Sequence, residues 1–262
     1  MELTKSTFLQ EIEKHELFSK NDRLIVAVSG GIDSIVMADL LIKCSFTVIL
    51  AHCNFNLRGE ESLRDENFVK NFADKKGIIL EIKNFDTQNY ADQKKISIQE
   101  AARELRYQWF YDLLASNKAS YILTAHHADD LAENILIKLG RGEWPGLWNS
   151  LKRQSDKLIR PLLSFSRKEI IKYATLNLIQ FAEDSSNNSD YYTRNFYRNQ
   201  VIPLIESKQN NFSGNLVKHA LILQKERKKI EEMAEDWLKS KRVFVGARET
   251  IAGSDILNAW FP

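Results

Sequence analysis

A chain of 262 residues is long enough for one large domain, or for a domain of about 200 residues with a smaller appendage. Hydrophobic residues make up 44% of the chain and charged residues 27%, which is ordinary for a globular protein and argues against disorder, and the net charge of +2 is too small to indicate nucleic-acid binding by itself. With two cysteines and no apolar run long enough for a membrane helix, the sequence predicts a cytoplasmic protein without membrane contact.

The first half of the chain alternates short apolar strands with helix-periodic stretches. Residues 1–19 carry an amphipathic helix pattern, which argues against a secretion signal. The elements then follow in turn, with predicted strands at 24–28, 46–51, 78–82 and 121–125 and predicted helices at 34–43, 60–76 and 97–116. This rhythm predicts an α/β fold with a doubly wound, mostly parallel sheet and helices on both faces. Ligands of such a sheet bind beyond the carboxyl ends of its strands.

The second half changes character, and we expect it to end in a small, mostly helical C-terminal region. A stretch rich in Gly and Trp at 140–150 predicts a loop or elbow, and a polar turn at 183–190 follows a renewed helical pattern. From about Ser213 a long helix is predicted to leave the first lobe and begin a separate element. The expected domains are therefore residues 1–210 for the α/β domain and residues 211–262 for the helical region.

The first predicted strand ends in the sequence SGGIDS, residues 29–34. Two glycines between a buried strand and a helix let backbone amides approach an oxyanion closely, and the helix N-terminus adds positive charge. Ser29 and Ser34 can donate hydrogen bonds to phosphate, whereas Asp33 would repel it and therefore indicates a divalent cation or a cationic group nearby. The alternative is a tight turn in which Asp33 and Ser34 only cap the helix. The loop lacks both the Walker A lysine and the dinucleotide G-x-G-x-x-G pattern.

The fourth predicted strand ends in HHADDLAEN, residues 126–134. Asp130 and Glu133 lie three residues apart at the start of a helix, so their carboxylates share one face and predict a bound cation, either magnesium or a substrate ammonium. The alternative is that these acids only complement the helix dipole. His126 and His127 point to opposite faces of a strand end, which argues against a two-histidine zinc site.

Polar residues also follow the second predicted strand, where HCNFNLRGEES begins. His52 and Asn54 are candidates for the wall of a nucleotide pocket, and Arg58 is a candidate phosphate contact. The alternative is that they are ordinary hydrogen-bonded residues. Because the ends of parallel strands meet at one edge of a sheet, we expect all three near Ser29.

Three further arginines are candidates for phosphate contact. Arg103 and Arg106 share one turn of the helix predicted at 97–116, and the alternative for them is an exposed face beside Glu104. Arg194 follows the polar turn, and its alternative is a structural ion pair with Asp184.

Together these motifs resemble the tRNA(Ile)-lysidine synthetase family of N-type ATP pyrophosphatases. The matching elements span about residues 22 to 203 and are, in chain order, SGGIDS, HCNFNLRGEES, EAARELRY, TAHHADDLAEN, RPLL and EDSSNNSDYYTRNFYRN. The resemblance implies a ligase that forms a carbon–nitrogen bond and cleaves ATP to AMP and pyrophosphate. Such an enzyme adenylates C2 of the wobble cytidine, position 34, of an Ile-accepting tRNA with a CAU anticodon, and the ε-amine of L-lysine then displaces AMP to give lysidine.

By resemblance, the site combines a nucleotide pocket, a magnesium ion and a reaction centre. The implied ATP contacts are Ser29, Gly30, Gly31, Ile32, Asp33, Ser34, His52, Asn54, Arg58 and His126. The implied magnesium ligands are Asp33 and Glu133. The implied catalytic residues are Asp33, Asp130, Glu133, Arg103, Arg106 and Arg194. The acids of this set would hold magnesium or the lysine ammonium, and the arginines would neutralise phosphate or the tRNA backbone. The resemblance is also compatible with a homodimer.

Two features depart from the family pattern, and two other interpretations stay open. Asn134 stands where the family more often has Thr, and many members continue into one or two C-terminal domains beyond the point that corresponds to Pro262. One alternative is another enzyme of the superfamily, a tRNA thiolase or an amide-forming ligase, although Cys44 and Cys53 are not arranged like paired thiolase cysteines. The other is a non-catalytic nucleotide-binding sensor on the same fold.

Overall fold

The computed structural model describes residues 2–143, 151–182, 193–245 and 248–251. Residues 144–150, which make up most of the predicted elbow, and the predicted polar turn at 183–190 lie outside these described residues. In the described ranges, no helix is both long enough and apolar enough to cross a membrane.

Strands and helices alternate up to residue 123, as the sequence pattern predicts, except that two helices in succession precede the last of these strands. The helices of this part are α1 (Lys5–Lys14), α2 (Ile32–Lys43), α3 (Glu60–Lys76), α4 (Thr87–Lys94) and α5 (Ile98–Ser116). The strands are β1 (Arg23–Ala27), β2 (Thr47–Asn54), β3 (Leu80–Asn84) and β4 (Tyr121–Leu123). Side-chain oxygens cap the N-termini of three of these helices. Thr4 accepts a hydrogen bond from Thr7 N–H at α1, Asp86 accepts one from Asn89 N–H at α4, and Ser97 accepts one from Glu100 N–H at α5.

The rest of the described chain is mostly helical. It contains α6 (Ala128–Gly140), the short strands β5 (Gln154–Ser155) and β6 (Leu158–Ile159), α7 (Arg167–Leu176), α8 (Thr193–Phe196), a π-helical turn at Tyr197–Val201, α9 (Ile202–Glu206) and α10 (Phe212–Lys241). A small antiparallel hairpin of β7 (Arg242–Val245) and β8 (Arg248–Ile251) follows α10.

Six strands form one sheet in the order β3-β2-β1-β4-β6-β5. Neighbouring strands are parallel except for the pair β5 and β6, and in the pair β1 and β2 Ala27 lies opposite Ala51. The chain runs outward from β1 to β3 and then returns to place β4 on the other side of β1. This reversal confirms the predicted doubly wound fold and creates a crevice at the carboxyl ends of β1 and β4, where such sheets bind ligands.

The side chains of β1 alternate between two hydrophobic layers. Leu24 and Val26 pack with α1, α2, α3 and α7 on one face of the sheet, and Ile25 packs with α5 on the other. Because helices cover both faces, the central strands are apolar along their whole length and offer polar groups only at their ends.

The long C-terminal helix is present, but its first turns do not leave the α/β lobe as the sequence analysis expected. Val217 and Ala220 of α10 are buried in one cluster with Leu131 and Ile135 of α6. Apolar residues at helical spacing in the first half of α10 explain this packing. Helix α6 is therefore held from its outer side, while the domain boundary after residue 210 stays a prediction.

Candidate active site

The segment from Ser29 to Ser34 joins β1 to α2. Gly30 has a φ of +95°, a backbone conformation that L side chains rarely adopt, and Gly31 is the N-cap of α2. The Ser34 hydroxyl donates to the Gly31 carbonyl at 2.8 Å and accepts from the Ser29 N–H at 3.2 Å. Hydrogen bonds within the loop therefore fix its conformation at the N-terminus of α2, where the helix dipole is positive. This arrangement suits the binding of phosphate.

The loop forms one wall of a cavity of about 410 Å³ between the carboxyl ends of β1 and β4. The structure brings most of the residues predicted from sequence to this cavity. Those that line it are Ser29, Gly31, Asp33, Ser34, Arg106, His126, Asp130 and Arg194. Ile32 differs from the expectation because its side chain is buried in the core on the α2 side, so only its backbone is left to approach a ligand.

Asp33 presents a carboxylate oxygen without a hydrogen-bond partner. Its Oδ1 is buried and lies 3.9 Å from Nε2 of His127, and burial raises the pKa of the Asp33 carboxyl. An orphaned carboxylate oxygen at the wall of a cavity that suits phosphate fits magnesium, which in nucleotide sites takes one or two carboxylates and fills its shell with phosphate and water. The described part of the chain holds no group of three or more His, Cys, Asp or Glu side chains arranged for a metal.

Asp130 and Glu133 share one face of α6, as their spacing predicts, and two arginines cover them. Arg194 donates from Nε to Glu133 and from Nη2 to Asp130, both at 2.8 Å. Arg198 donates from Nε to Glu133 at 2.6 Å and from Nη2 to Asp130 at 3.0 Å. Glu133 is completely buried, and the two guanidiniums supply the opposite charge that burying both acids requires.

This cluster changes the expectation for Glu133. Its Oε1 accepts a hydrogen bond from Arg198, and its Oε2 accepts from both Arg194 and Arg198. Asp130 lines the cavity, whereas Glu133 does not. With both oxygens engaged by arginine, Glu133 is not free to coordinate magnesium in this arrangement, and Asp33 remains the candidate ligand.

Asp130 carries a persistent negative charge at the cavity wall. Burial alone would raise the pKa of Asp130, but the charges of His127 and Arg194 outweigh burial and lower this pKa to about 2. Its Oδ2 also accepts a hydrogen bond from the His127 N–H at 3.0 Å. For the His127 ring, burial would lower the pKa, yet the carboxylates of Asp130, Asp129 and Asp33 raise it. The imidazole therefore shifts toward its protonated form between Asp33 and Asp130.

His126 lines the cavity as a neutral imidazole. Its Nδ1 lies 2.9 Å from the Thr124 hydroxyl, and burial lowers the pKa of His126 to about 4. At neutral pH the ring is therefore uncharged, with one nitrogen that donates and one that accepts a hydrogen bond. This is the form that suits a contact with a nucleotide base.

The lowered pKa of His126 makes folding stability depend on pH. The folded-state pKa is about 4 and an unfolded histidine titrates near 6.5, so the unfolded chain binds more protons below pH 6.5 and stability falls between pH 6.5 and 4. Between pH 7 and pH 5 we expect the wild type to lose about 2 kcal/mol more unfolding free energy than the His126→Gln variant. Urea unfolding of both proteins at the two pH values measures this difference, and equal losses would contradict the shift.

His52, Asn54 and Arg58 are not among the residues that line the cavity, which corrects the sequence expectation of direct nucleotide contact. The reason is the two-residue alternation of a strand. Ala51 and Cys53 of β2 line the cavity, so His52 and Asn54 point to the opposite face of the sheet. Arg58 lies farther along, in the exposed loop after β2.

Asn54 and Arg58 instead attach the end of β2 to α3. The buried Asn54 amide donates to Glu66 at 2.8 Å, and Arg58 forms an ion pair with Asp65 at 3.1 Å. These contacts hold the loop after β2 in place and involve no group that faces the cavity.

Arg103 and Arg106 occupy one turn of α5, but only Arg106 lines the cavity. The guanidinium carbon of Arg106 lies 5.2 Å from the ring centroid of Phe55, a distance typical of a cation–π contact. Arg103 is exposed and lies 4.9 Å from the ring centroid of Tyr107. Of these two arginines only Arg106 can therefore meet a ligand in the cavity, and its contact with phosphate stays a prediction.

Arg198 lines the cavity and was not among the site residues that the sequence analysis selected. It lies four residues after Arg194, so both guanidiniums project from one helical face toward the paired acids of α6. That complementary spacing is the sequence signal that could have found it. Arg198 also lies in the π-helical turn that starts at Tyr197, and such turns are frequent at functional sites.

Comparison with known proteins adds evidence that is independent of this geometry. A model of the PP-loop domain family matches residues 2–205. The chain is 42% identical over 209 residues to the tRNA(Ile)-lysidine synthase of Bacteroides thetaiotaomicron, an alignment that covers 80% of this chain and 49% of the relative. It is 37% identical over 214 residues to the protein of the same name from Chlorobaculum tepidum, with coverage of 79% and 64%.

The relatives are longer than this chain. The bifunctional protein TilS/HprT of Listeria innocua is 32% identical over 266 residues, which is 98% of this chain and 41% of that protein. The chain therefore spans between 41% and 64% of the length of these three relatives. Among solved structures, the U34-tRNA thiolase NcsA from Methanococcus maripaludis with its [4Fe-4S] cluster matches with a TM-score of 0.69 over 84% of this chain and 79% of that one, at 17% identity. This last likeness concerns the fold alone.

Proposed function

Because this chain belongs to the PP-loop domain family, we propose that it uses ATP to join L-lysine to the wobble cytidine of an Ile-accepting tRNA with a CAU anticodon. Cytidine 34 is adenylated at C2, and the ε-amine of lysine then displaces AMP to give lysidine. The observation that carries the proposal is one cavity lined both by the Ser29–Ser34 loop and by Asp130 with its two arginines. Residues 1–210 are the proposed catalytic domain, and tRNA and ATP as substrates imply a cytoplasmic protein.

Adenylation cleaves ATP between its α- and β-phosphates, so the site must stabilise pyrophosphate as a leaving group. The amides of the glycine turn, the Ser29 and Ser34 hydroxyls and the N-terminus of α2 are placed to offset the charge that grows on it. Magnesium, when held by Asp33 with the triphosphate, would supply further stabilisation of this charge. The protein's own part is to fix the phosphates against α2 at the edge of the sheet.

The other walls of the cavity suit the remaining substrates. Arg106 and Arg198 can neutralise the α-phosphate or the tRNA backbone, while Asp130 offers a carboxylate to the lysine ammonium. The target base must leave its stack to react, and the aromatic rings of Phe55 and Tyr107 in the wall offer a surface for it. The lysine amine attacks only after it has lost a proton, since an ammonium has no lone pair.

The protonation state of the two cysteines argues against the thiolase alternative. Cys44 is buried at the end of α2, and burial raises the pKa of Cys53 in the cavity wall to about 12, so neither side chain is a thiolate at neutral pH. The sequence contains no third cysteine to complete an iron–sulfur ligand set.

An AMP-release assay tests the proposal and separates its alternatives. The purified chain is incubated with ATP and magnesium, alone or with lysine, total tRNA or both. We expect AMP in quantity only when lysine and tRNA are both present, together with one lysidine per AMP in digested tRNA. AMP formed with ammonia or with a sulfur donor would instead indicate an amide-forming ligase or a thiolase. ATP binding without turnover under all conditions would indicate a sensor.

A further inference from the structure

His52 is buried directly beneath the phosphate loop without lining the cavity. It is 3% exposed, and its Nδ1 lies 2.9 Å from the carbonyl oxygen of Val28, the residue that precedes the loop. A carbonyl oxygen only accepts hydrogen bonds, so Nδ1 must carry the proton and donate. Burial lowers the pKa of His52, which keeps the ring neutral in this tautomer at neutral pH.

This hydrogen bond controls the orientation of the first peptide of the loop. In a trans peptide the C=O of Val28 and the N–H of Ser29 point in opposite directions. His52 holds the carbonyl on one side, and the Ser34 hydroxyl accepts from the Ser29 N–H at 3.2 Å on the other. The Val28–Ser29 peptide plane is therefore fixed from both sides.

The bond also continues the sheet beyond its last paired residues. Pairing of β1 with β2 ends where Ala27 lies opposite Ala51, and the Val28 N–H still donates to the Ala51 carbonyl at 2.9 Å. The imidazole of His52 donates a hydrogen bond to the Val28 carbonyl. The chain can therefore turn from the strand into the left-handed conformation of Gly30 without leaving this buried carbonyl unpaired.

We propose that His52 is a positioning residue for the triphosphate: it orients the Val28–Ser29 peptide so that the Ser29 hydroxyl and the Gly31 amide face the β- and γ-phosphates. The inference rests on the proposed function, because it needs ATP in this cavity. His52 acts through the loop and touches no substrate. This role requires a neutral hydrogen-bond donor at the position of Nδ1, and it does not require the rest of the imidazole ring.

A pair of substitutions of similar volume separates this role from simple packing. Asparagine places its amide nitrogen near the position of Nδ1 and can still donate to the Val28 carbonyl, whereas glutamine places its amide nitrogen near Nε2. We expect His52→Asn to bind Mg-ATP within about twofold of the wild type and His52→Gln to bind about tenfold more weakly, the effect of one lost hydrogen bond. Isothermal titration calorimetry without lysine and tRNA measures both.

Tyr173→Phe is the matched control, because it removes another buried hydrogen bond, from the Tyr173 hydroxyl to Asp39 at 3.1 Å, between α7 and α2. We expect this variant to lose thermal stability with an unchanged Kd for Mg-ATP. Equal affinities of the His52→Asn and His52→Gln variants, whether both weak or both normal, would overturn the positioning role. Failure of the wild type to bind Mg-ATP would overturn the proposed function, and the positioning role with it.

Discussion

Replacing Asp33 by asparagine is expected to lower AMP formation roughly 100- to 1,000-fold, the usual cost of removing one preorganised electrostatic contact at a reaction centre. We expect no loss of folding stability in this variant. Asp33 Oδ1 is buried without a hydrogen-bond partner, and burial raises the pKa of this carboxyl, so the ionised form costs folding free energy at neutral pH. An amide of the same shape removes that cost, and we expect Asp33→Asn to melt at the same temperature as the wild type or higher.

The pH dependence of this gain has a definite sign. A carboxyl whose pKa is raised in the folded state stabilises the fold least when it is ionised, so the advantage of Asp33→Asn should be largest at neutral pH and shrink as the pH falls toward the carboxyl pKa. Thermal melts at pH 7 and pH 4.5, together with the AMP assay, measure both effects.

Asp129→Asn is the control for this prediction, because Asp129 lies 3.5 Å from the same histidine, His127. Burial would raise the pKa of Asp129, but the nearby His127 ring and the hydrogen bond from the Arg167 N–H outweigh burial and lower that pKa. Its replacement should therefore reduce stability. Full AMP formation by Asp33→Asn would show that Asp33 has no role in catalysis, and a loss of stability like that of Asp129→Asn would contradict the unpaired, destabilising carboxylate.

Removing Arg198 is expected to destabilise the protein by about 3 kcal/mol, because a fully buried carboxylate is left with one partner fewer. Glu133 is 0% exposed, and Arg198 donates to both of its oxygens while being only 23% exposed itself. Urea unfolding of Arg198→Gln measures this loss. The same variant should lose AMP formation, because Arg198 lines the cavity.

Arg194→Gln is the matched control, since Arg194 contacts the same two acids, Asp130 and Glu133, but is 45% exposed. Because solvent screens it more, we expect a loss of only about 1 kcal/mol. Combining Arg198→Gln with Glu133→Gln should recover part of the loss, because the unpaired charge is removed. Equal losses for the two arginines, or no recovery in the double variant, would contradict the account of a buried charge cluster.

The sequence predicts the sheet and its loops because a strand that is buried on both faces is a continuous run of apolar residues. The apolar runs of β1, β2 and β4 mark the strands, and their polar ends mark the ligand edge. Strand ends were shifted, however. β2 runs to Asn54, three residues past the prediction, while β4 stops at Leu123 and so is shorter than predicted. The polar helix α4 was missed because it shows no apolar face, although Asp86 is a clear N-cap.

The positions of the site side chains could be predicted where the spacing of residues along one element sets them. They could not be predicted where contacts between residues distant in the sequence set them. Alternation along β2 was available in the sequence and would have turned His52 and Asn54 away from the face that Ala51 and Cys53 share. The burial of Glu133 was not available, because it depends on Arg198 approaching across 65 positions of the chain. The sequence therefore predicts the phosphate loop and the acid pair, but not which acid is left to meet a metal.

A crystal structure of the chain with magnesium and α,β-methylene ATP, which cannot be cleaved at the α–β bond, tests the central claim most directly. We expect the β- and γ-phosphates against Ser29, Gly31 and Ser34, a metal on Asp33, and the α-phosphate on the side of Asp130 and Arg198. A triphosphate bound elsewhere, with the loop from Ser29 to Ser34 free of phosphate, would contradict the account.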